Sequence, residues 1–136
     1  MVVPATLQDA RAATDWVTSL CDRLDVESRA RYGTAVMEWL VNVVKHSYAQ
    51  AMDGRIMIVA AVGPDCIELM VEDTGQGMPP WRFDAAPTEV EFDPTDLDNL
   101  PESGMGLAII KSVMDSVRYQ SDRGINRLIA VRRWQR

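Results

Sequence analysis

The chain has 136 residues, of which 47% are hydrophobic and 25% are charged, and its formal net charge is −6. This length and hydrophobic content fit one folded domain and exclude a globally disordered chain. The acidic balance argues against a general nucleic-acid binder, which would carry a basic face, but it allows an anionic ligand held by backbone amides or a bound cation.

The sequence shows neither a recognisable targeting signal nor a pair of cysteines at metal-binding spacing. Cys21 and Cys66 lie far apart in the sequence, and two separate thiols are weak evidence for a disulfide framework. The first residues lack the charged and apolar regions of a signal peptide, and no apolar run is long enough to cross a membrane. We expect a single cytoplasmic domain over residues 1–136.

Hydrophobic periodicity predicts the main elements in chain order. Apolar residues recur at helical spacing in three segments, 6–23 (with Thr6 as N-cap), 28–50 and 104–116. Alternating or continuous apolar runs predict two hairpins, 55–62 with 66–72 around a Gly-Pro-Asp turn, and 117–122 with 127–133 around Gly124.

The segment between Met78 and Ser103 shows no convincing periodicity. Residues 82–102 contain seven acidic residues, one basic residue and three prolines. Structureless loops longer than about 12–15 residues are uncommon in compact domains and are often lids or binding loops. A disordered insertion is the alternative, but the position between two glycine motifs favours a lid at 79–103.

The second predicted helix carries a polar stripe. Glu38, Asn42 and His46 follow one another in steps of four, which drift only about 40° around a helix. An Asn amide oxygen suits Mg²⁺, a Glu one turn earlier could accept a proton from a hydroxyl, and Lys45 could reach a phosphate. The alternative is that Glu38 is simply solvated and His46 structural.

Two glycine motifs follow. Asp73-Thr74-Gly75-Gln76-Gly77 comes directly after an apolar strand, where a carboxylate can accept a hydrogen bond from an exocyclic amine such as that of adenine, and glycines let the backbone approach a flat ligand. An ordinary Asx turn is the alternative. Ser103-Gly104-Met105-Gly106 opens a helix, whose free amides suit a phosphate, or else Ser103 is a plain N-cap.

The three motifs together resemble the GHKL ATPase superfamily, whose members bind ATP under a mobile lid, and no Walker A motif occurs. Within that superfamily, EWLVNVVKHSY at 38–48 and DPTDLDNLPESGMGLAIIKSVMDSV at 93–117 are similar to the anti-sigma-factor serine kinases. The resemblance spans residues 7–132. It implies a Bergerat-type α/β two-layer sandwich with a mixed, mostly antiparallel sheet and helices on one face.

The resemblance also implies a function and roles for residues. The expected activity is ATP-dependent phosphorylation of a serine or threonine on a small anti-sigma-factor antagonist, coupled to binding of a sigma factor, with a possible homodimer. Glu38 is expected to be the general base, Asn42 to hold Mg²⁺ and Asp73 to read adenine. Further ATP contacts are expected from Lys45, Gly75, Gly77, Met78, Ser103, Gly104, Met105 and Gly106.

Three positions depart from the family pattern. Only three residues precede Pro4 where the family has a longer first strand, so the edge strand is not assured. Glu102 stands where some members have an Arg that contacts the γ-phosphate. Ile125-Asn126 follow Gly124 where a Thr often lines the adenine pocket. Two alternatives to the kinase stay open: an ATP-binding partner-switching regulator without turnover, and a histidine-kinase-type ATPase, which the absence of a phosphoacceptor helix disfavours.

Overall fold

The computed structural model describes residues 1–47, 54–88 and 106–135, with the backbone alone for His46 and Ser47. Its elements follow in the order β1 (Val2–Pro4), α1 (Leu7–Ser19), α2 (Val26–Asn42), a π-helical turn (Val43–Ser47), β2 (Arg55–Val62), β3 (Cys66–Asp73), α3 (Pro80–Ala85), α4 (Gly106–Val113), β4 (Ser116–Asp122) and β5 (Ile125–Arg133).

The strands form one five-stranded sheet in the order β1-β2-β3-β5-β4. Among the described residues every neighbouring pair is antiparallel, in line with the predicted, mostly antiparallel sheet of a two-layer sandwich, and no parallel pair occurs among them. The edge strand is present despite its shortness, because Val2, Val3 and Pro4 pair with β2.

The core lies between the helices and one face of the sheet. Ile67, Leu69 and Val71 alternate on β3 and are buried, whereas Glu68 between them is exposed. Burying alternate residues is what an antiparallel sheet with one covered face requires. α2 contributes Tyr32 and other buried residues along its apolar stripe.

Polar caps set the helix starts. Thr6 Oγ1 accepts the backbone N–H of Asp9 at 3.0 Å, as predicted. Asp25 caps α2 by accepting the N–H of Ser28 at 2.7 Å, so α2 begins at Val26, before the predicted start. α1 ends at Ser19 rather than at residue 23.

The other ends of the predicted helices also shift. α2 leaves α-helical geometry after Asn42 and continues as the π-helical turn, and residues 48–50 of the predicted helix lie outside the described part. α4 runs from Gly106 to Val113. Within the described ranges, no helix has both the length and the apolar character needed to cross a bilayer.

The start of the predicted lid is ordered, which corrects the expectation of a structureless segment. Residues 80–85 form α3, with Pro80 at its first position. Phe83 is buried and packs against Trp39 and Tyr119, with ring centroids 6.5 and 5.8 Å away. Residues 89–103 of the predicted lid lie outside the described residues.

Candidate functional site

A cavity of about 590 Å³ lies between α2, the end of β3, α3 and the start of α4. This volume falls within the range of small-molecule sites. Its walls are formed by Trp39, Asn42, Val43, Asp73, Gln76, Gly77, Met78, Pro79, Trp81, Arg82, Ala85, Ala86, Pro87, Leu107 and Tyr119. The cavity therefore brings together residues from the polar helix stripe and from the first glycine motif.

Asp73 is the acidic residue among the described residues of the cavity wall, and only 4% of it is exposed. Its Oδ1 accepts the backbone N–H of Gly75 at 3.0 Å and the side-chain amide of Asn126 at 2.8 Å. The first contact is the Asx turn that stood as the alternative interpretation. The turn and a place in the cavity wall occur together, because the same contacts that form the turn hold the carboxylate there.

Gly77 gives the turn its backbone conformation. Its φ of 71° lies in the left-handed region, and a Cβ at this position would stand 2.3 Å from Asn126 Oδ1. Both facts require glycine. The next residue, Met78, donates its backbone N–H to Tyr119 Oη at 3.0 Å, which fixes the turn against β4.

Asn42 is the last residue of α2, half-buried, and lines the cavity. The π-helical turn follows it directly, and such turns are frequent at functional sites. The described residues hold no group of three or more His, Cys, Asp or Glu side chains arranged for a metal. Mg²⁺ uses few protein ligands and keeps several waters, so a single amide oxygen suits it here.

Glu38 does not line this cavity. It lines a groove of about 510 Å³ between α1 and α2. A Cβ on Gly106 would stand 2.7 Å from Glu38 Oε2, so the carboxylate abuts the start of α4, and the next residue of α4, Leu107, lines the cavity. Glu38 therefore lies at the border between groove and cavity.

Burial raises the pKa of Glu38 above its ordinary value of 4.5, and the nearby charge of Lys45 partly opposes this. A higher pKa makes a carboxylate a stronger base near neutral pH. Lys45 itself is exposed on the π-helical turn and is not part of the cavity wall.

The remaining residues of the predicted site divide into two groups. Gly75 lies behind Asp73 and is not among the wall residues, and Gly106 is the first residue of α4. Glu102 and three of the predicted ATP contacts, Ser103, Gly104 and Met105, lie outside the described residues.

Sequence reasoning missed an aromatic cluster beside the cavity. Trp39 and Tyr119, with ring centroids 5.4 Å apart, both line it, and Phe83 packs on both rings. Lys111 Nζ lies 4.7 Å from the centre of the Phe83 ring. Trp39 lies on the predicted apolar stripe, but the strand and helix that meet it are distant in sequence, so no local signal indicated the cluster.

The sequence marks Ile125-Asn126 as a departure from the family pattern near the adenine pocket, but it assigns Asn126 no role in the site. Asn126 lies at an inward-facing position of β5 and is 1% exposed. The signal that could have found it is the alternation on this strand, where a polar Asn occupies a position that the pattern reserves for apolar residues.

An antiparallel α/β sandwich with an Asn-bearing helix and an Asp-Gly strand end around one cavity is the architecture of a GHKL-type ATPase domain. Residues 3–132 match the family described as the histidine kinase-like ATPase domain, and the chain belongs to this family.

The chain is similar to two Bacillus proteins named serine-protein kinase RsbW. They come from Bacillus cereus (strain G9842) and Bacillus mycoides (strain KBAB4), and each is 31% identical over 99 residues. The matched region makes up 70% of this chain but 58% of each relative. These matches confirm the resemblance that the motifs indicated.

Solved structures share the fold. The mycobacterial sensor histidine kinase MprB superposes with a TM-score of 0.58 at 21% identity, covering 98% of this chain and 97% of that one. A histidine kinase domain from an Erythrobacter litoralis blue-light activated kinase superposes with a TM-score of 0.55 at 15% identity, covering 95% and 60%. At these identities the likeness concerns the fold.

Proposed function

We propose that this protein is an ATP-dependent serine/threonine protein kinase that acts as an anti-sigma factor and phosphorylates a small antagonist protein. The observation that carries the proposal is the convergence of Asn42, Asp73 and Gly77 on one cavity of nucleotide size, with Glu38 at its border. Similarity to proteins named serine-protein kinases supports the choice of acceptor.

The residues present fit an adenine nucleotide. Asp73 offers a buried carboxylate to an exocyclic amine, and Gly77 lets the backbone approach a flat base. The wall beside them is aromatic, formed by Trp39 and Tyr119. Bound ATP supplies the phosphoryl group, and Asn42 is the residue that would hold its Mg²⁺.

Glu38 is the proposed general base toward the serine of the partner. Phosphoryl transfer depends mainly on positioning and on electrostatic stabilisation, so few catalytic side chains are needed. Glu38 lies where the groove between α1 and α2 meets the start of α4. A partner hydroxyl that arrives from the groove side would meet this carboxylate before the cavity.

The second candidate is an ATP-binding partner-switching regulator without kinase turnover. It is favoured by the position of Glu38 outside the cavity wall. Under this alternative Glu38 is a groove residue that contributes to partner binding or to packing against Gly106, and the nucleotide acts only as a regulatory ligand.

Glu38→Gln separates the two functions. Gln keeps the shape and the hydrogen-bonding capacity but removes the basic carboxylate, and general-base assistance is typically worth about 10²–10⁴-fold. We expect E38Q to leave ATP binding near wild type and to lower phosphate transfer by at least about 10²-fold. The assay is single-turnover transfer from labelled ATP to the antagonist protein captured from the native host.

One result decides against the kinase, and another decides against Glu38 as its base. If the wild type transfers no phosphate to a bound antagonist, the regulator without turnover replaces it. If the wild type transfers phosphate and E38Q does so at the same rate, the kinase stands and Glu38 is not its base. ATP affinity, measured by calorimetry on both proteins, shows that the substitution leaves the nucleotide site intact.

A further inference from the structure

Asn126 sits behind the first glycine motif. The inward-facing residues of β5 are Asn126, Leu128, Ala130 and Arg132, all buried. Antiparallel pairing of β5 with β3 places Asn126 directly opposite Asp73. A buried amide in such a position requires hydrogen-bond partners, because an unsatisfied polar group in the interior is costly.

The amide of Asn126 makes three hydrogen bonds. Its Nδ2 donates to Asp73 Oδ1 at 2.8 Å and to the carbonyl oxygen of Gly75 at 3.0 Å, and its Oδ1 accepts the hydroxyl of Ser121 at 2.6 Å. Both partners of Nδ2 are acceptors, so chemistry alone fixes which end of the amide faces them. Both amide hydrogens are thereby used.

The same side chain packs beneath the second glycine of the motif. A Cβ at Gly77 would stand 2.3 Å from Asn126 Oδ1 and 2.7 Å from its Cγ. Asn126 therefore touches three positions of the motif, the acid and both glycines. It is itself almost fully buried and not part of the cavity wall, so any effect on a ligand acts through those three positions.

We propose that Asn126 is the positioning residue for nucleotide-base recognition in this chain: it holds the Asp73 carboxylate and the Gly75–Gly77 turn in the arrangement that binds the amine edge of adenine. This inference rests on the proposed ATP site. The amide suits the task because it donates to a carboxylate and to a carbonyl at once while carrying no charge. An isosteric carboxylate supplies neither donor when ionised.

The N126D substitution tests this need for a donor, because it should make ATP affinity depend on pH. Two buried carboxylates in contact cannot both ionise, so they share a proton that is lost only as the pH rises. With the proton present, the carboxyl introduced by N126D can still donate to Asp73 and imitate the amide. Once the proton is lost, the two groups repel each other and the motif loses its anchor.

Tyr119 and Arg82 are the other titratable groups among the described residues of the cavity wall. Burial, chiefly, and the charge of Asp73 raise the pKa of Tyr119 above its ordinary value of 10.0, so Tyr119 stays neutral through pH 8.5. Arg82 lines the cavity and is exposed. Glu72 and Arg127 pair with each other on the opposite face of the sheet.

The experiment measures ATP affinity at pH 5.5, 7.0 and 8.5 for the wild type and for three variants, N126D, N126A and Q120D, well below their melting transitions. The ratio of variant to wild-type Kd removes the titration of the nucleotide itself. Q120D is the matched control, because Gln120 is exposed on the same hairpin and the substitution adds the same charge.

For N126D the ratio should rise with pH, from within about threefold at pH 5.5 to about tenfold or more at pH 8.5, since hydrogen bonds to charged groups are the strong ones. N126A should weaken binding by about tenfold at all three values. Q120D should stay near one. N126T keeps one hydroxyl donor, so its Kd ratio should fall between those of the wild type and N126A. It replaces N126D as the test if N126D does not fold.

Two outcomes overturn the inference. If N126A and N126T bind ATP as tightly as the wild type, Asn126 is a packing residue of the strand and nothing more. If the ratio for N126D is large but independent of pH, the loss is one of packing rather than of carboxylate positioning. Absence of ATP binding by the wild type is a different result, which removes the proposed function and this inference with it.

Discussion

At the residue scale, Gly106 is set apart by its closeness to Glu38. A Cβ there would stand 2.7 Å from Glu38 Oε2, too short for an ordinary contact. The atom it meets is the free end of a flexible side chain, so the carboxylate would move and the backbone would not. The lack of a side chain at Gly106 thus leaves the space that the Glu38 carboxylate occupies.

Gly106→Ala is expected to keep the fold and displace the carboxylate. Alanine in a helix is favoured over glycine by roughly 0.5–1 kcal/mol, so stability should not fall, while phosphate transfer should drop by about tenfold or more if Glu38 is the base. Single-turnover transfer and chemical denaturation measure the two effects. G63A, at a glycine of the turn between β2 and β3 whose Cβ would meet only Cys66 O within 4 Å, is the control.

A double mutant tests the cause. If G106A acts through Glu38, then adding it to E38Q should lower transfer no further, because both changes remove the same group. A further loss of the same size in the double mutant would show that Gly106 acts by another route, such as the geometry of the start of α4.

At the scale of elements, α3 is held by contacts from other parts of the chain. It has six residues and no side-chain cap. Lys111, on α4, donates to the carbonyl oxygens of Asp84 and Ala86 at 3.3 and 3.0 Å and lies over the Phe83 ring. One lysine thereby closes the end of α3 and ties it to α4.

Lys111→Met keeps the length of the side chain and removes the ammonium group. We expect faster hydrogen exchange at residues 82–86 and a loss of stability of about 1 kcal/mol, since the lost contacts are hydrogen bonds and a cation–π pair at a partly exposed site. Exchange in β3 and β5 should not change. R118M, on the exposed side of β4, provides the matched loss of a charge. Equal exchange at 82–86 in K111M and wild type would contradict this anchoring role.

The elements that sequence predicted are those whose signals are local. Thr6 caps α1 where expected, and both hairpins pair around the turns that Gly63 and Gly124 indicated. α3 could not be predicted, because a segment of six residues gains its stability from packing of Phe83 on distant rings rather than from periodicity. The lid as a moving element stays a prediction.

The candidate site, like the fold, could be predicted only where its signals are local in the sequence. Asp73, Asn42 and Gly77 were singled out because each belongs to a short motif, and all three line one cavity; their roles stay predictions. Asn126 was noted only as a departure from the family pattern, and its contacts could not be predicted because they depend on the register of β5 against β3, which joins positions 53 residues apart in the chain. Placing Glu38 at the border of the cavity likewise requires knowing where α4 begins.

At the scale of the whole molecule, the cavity is built from both layers of the sandwich. α2, α3 and α4 supply one wall, and the end of β3, the turn that follows it and Tyr119 of β4 supply the other. A ligand that fills the cavity therefore contacts elements that must separate when the protein unfolds. Binding to the folded state alone adds a stabilisation that grows with ligand concentration.

ATP is therefore expected to raise the melting temperature, and the choice of base is expected to matter. At a free concentration of about 100 Kd a ligand adds about 2.7 kcal/mol, which for a domain of this size is a rise of roughly ten degrees.

GTP should add little, because guanine presents a carbonyl oxygen where adenine presents its amine, and the Asp73 carboxylate would face another acceptor. Asp73→Asn should remove most of the gain from ATP, since a charge-assisted acceptor becomes an amide. Thermal denaturation of wild type and D73N with ATP, GTP or no nucleotide measures all three. Equal stabilisation by ATP and GTP, or an undiminished gain in D73N, would show that Asp73 does not select the base.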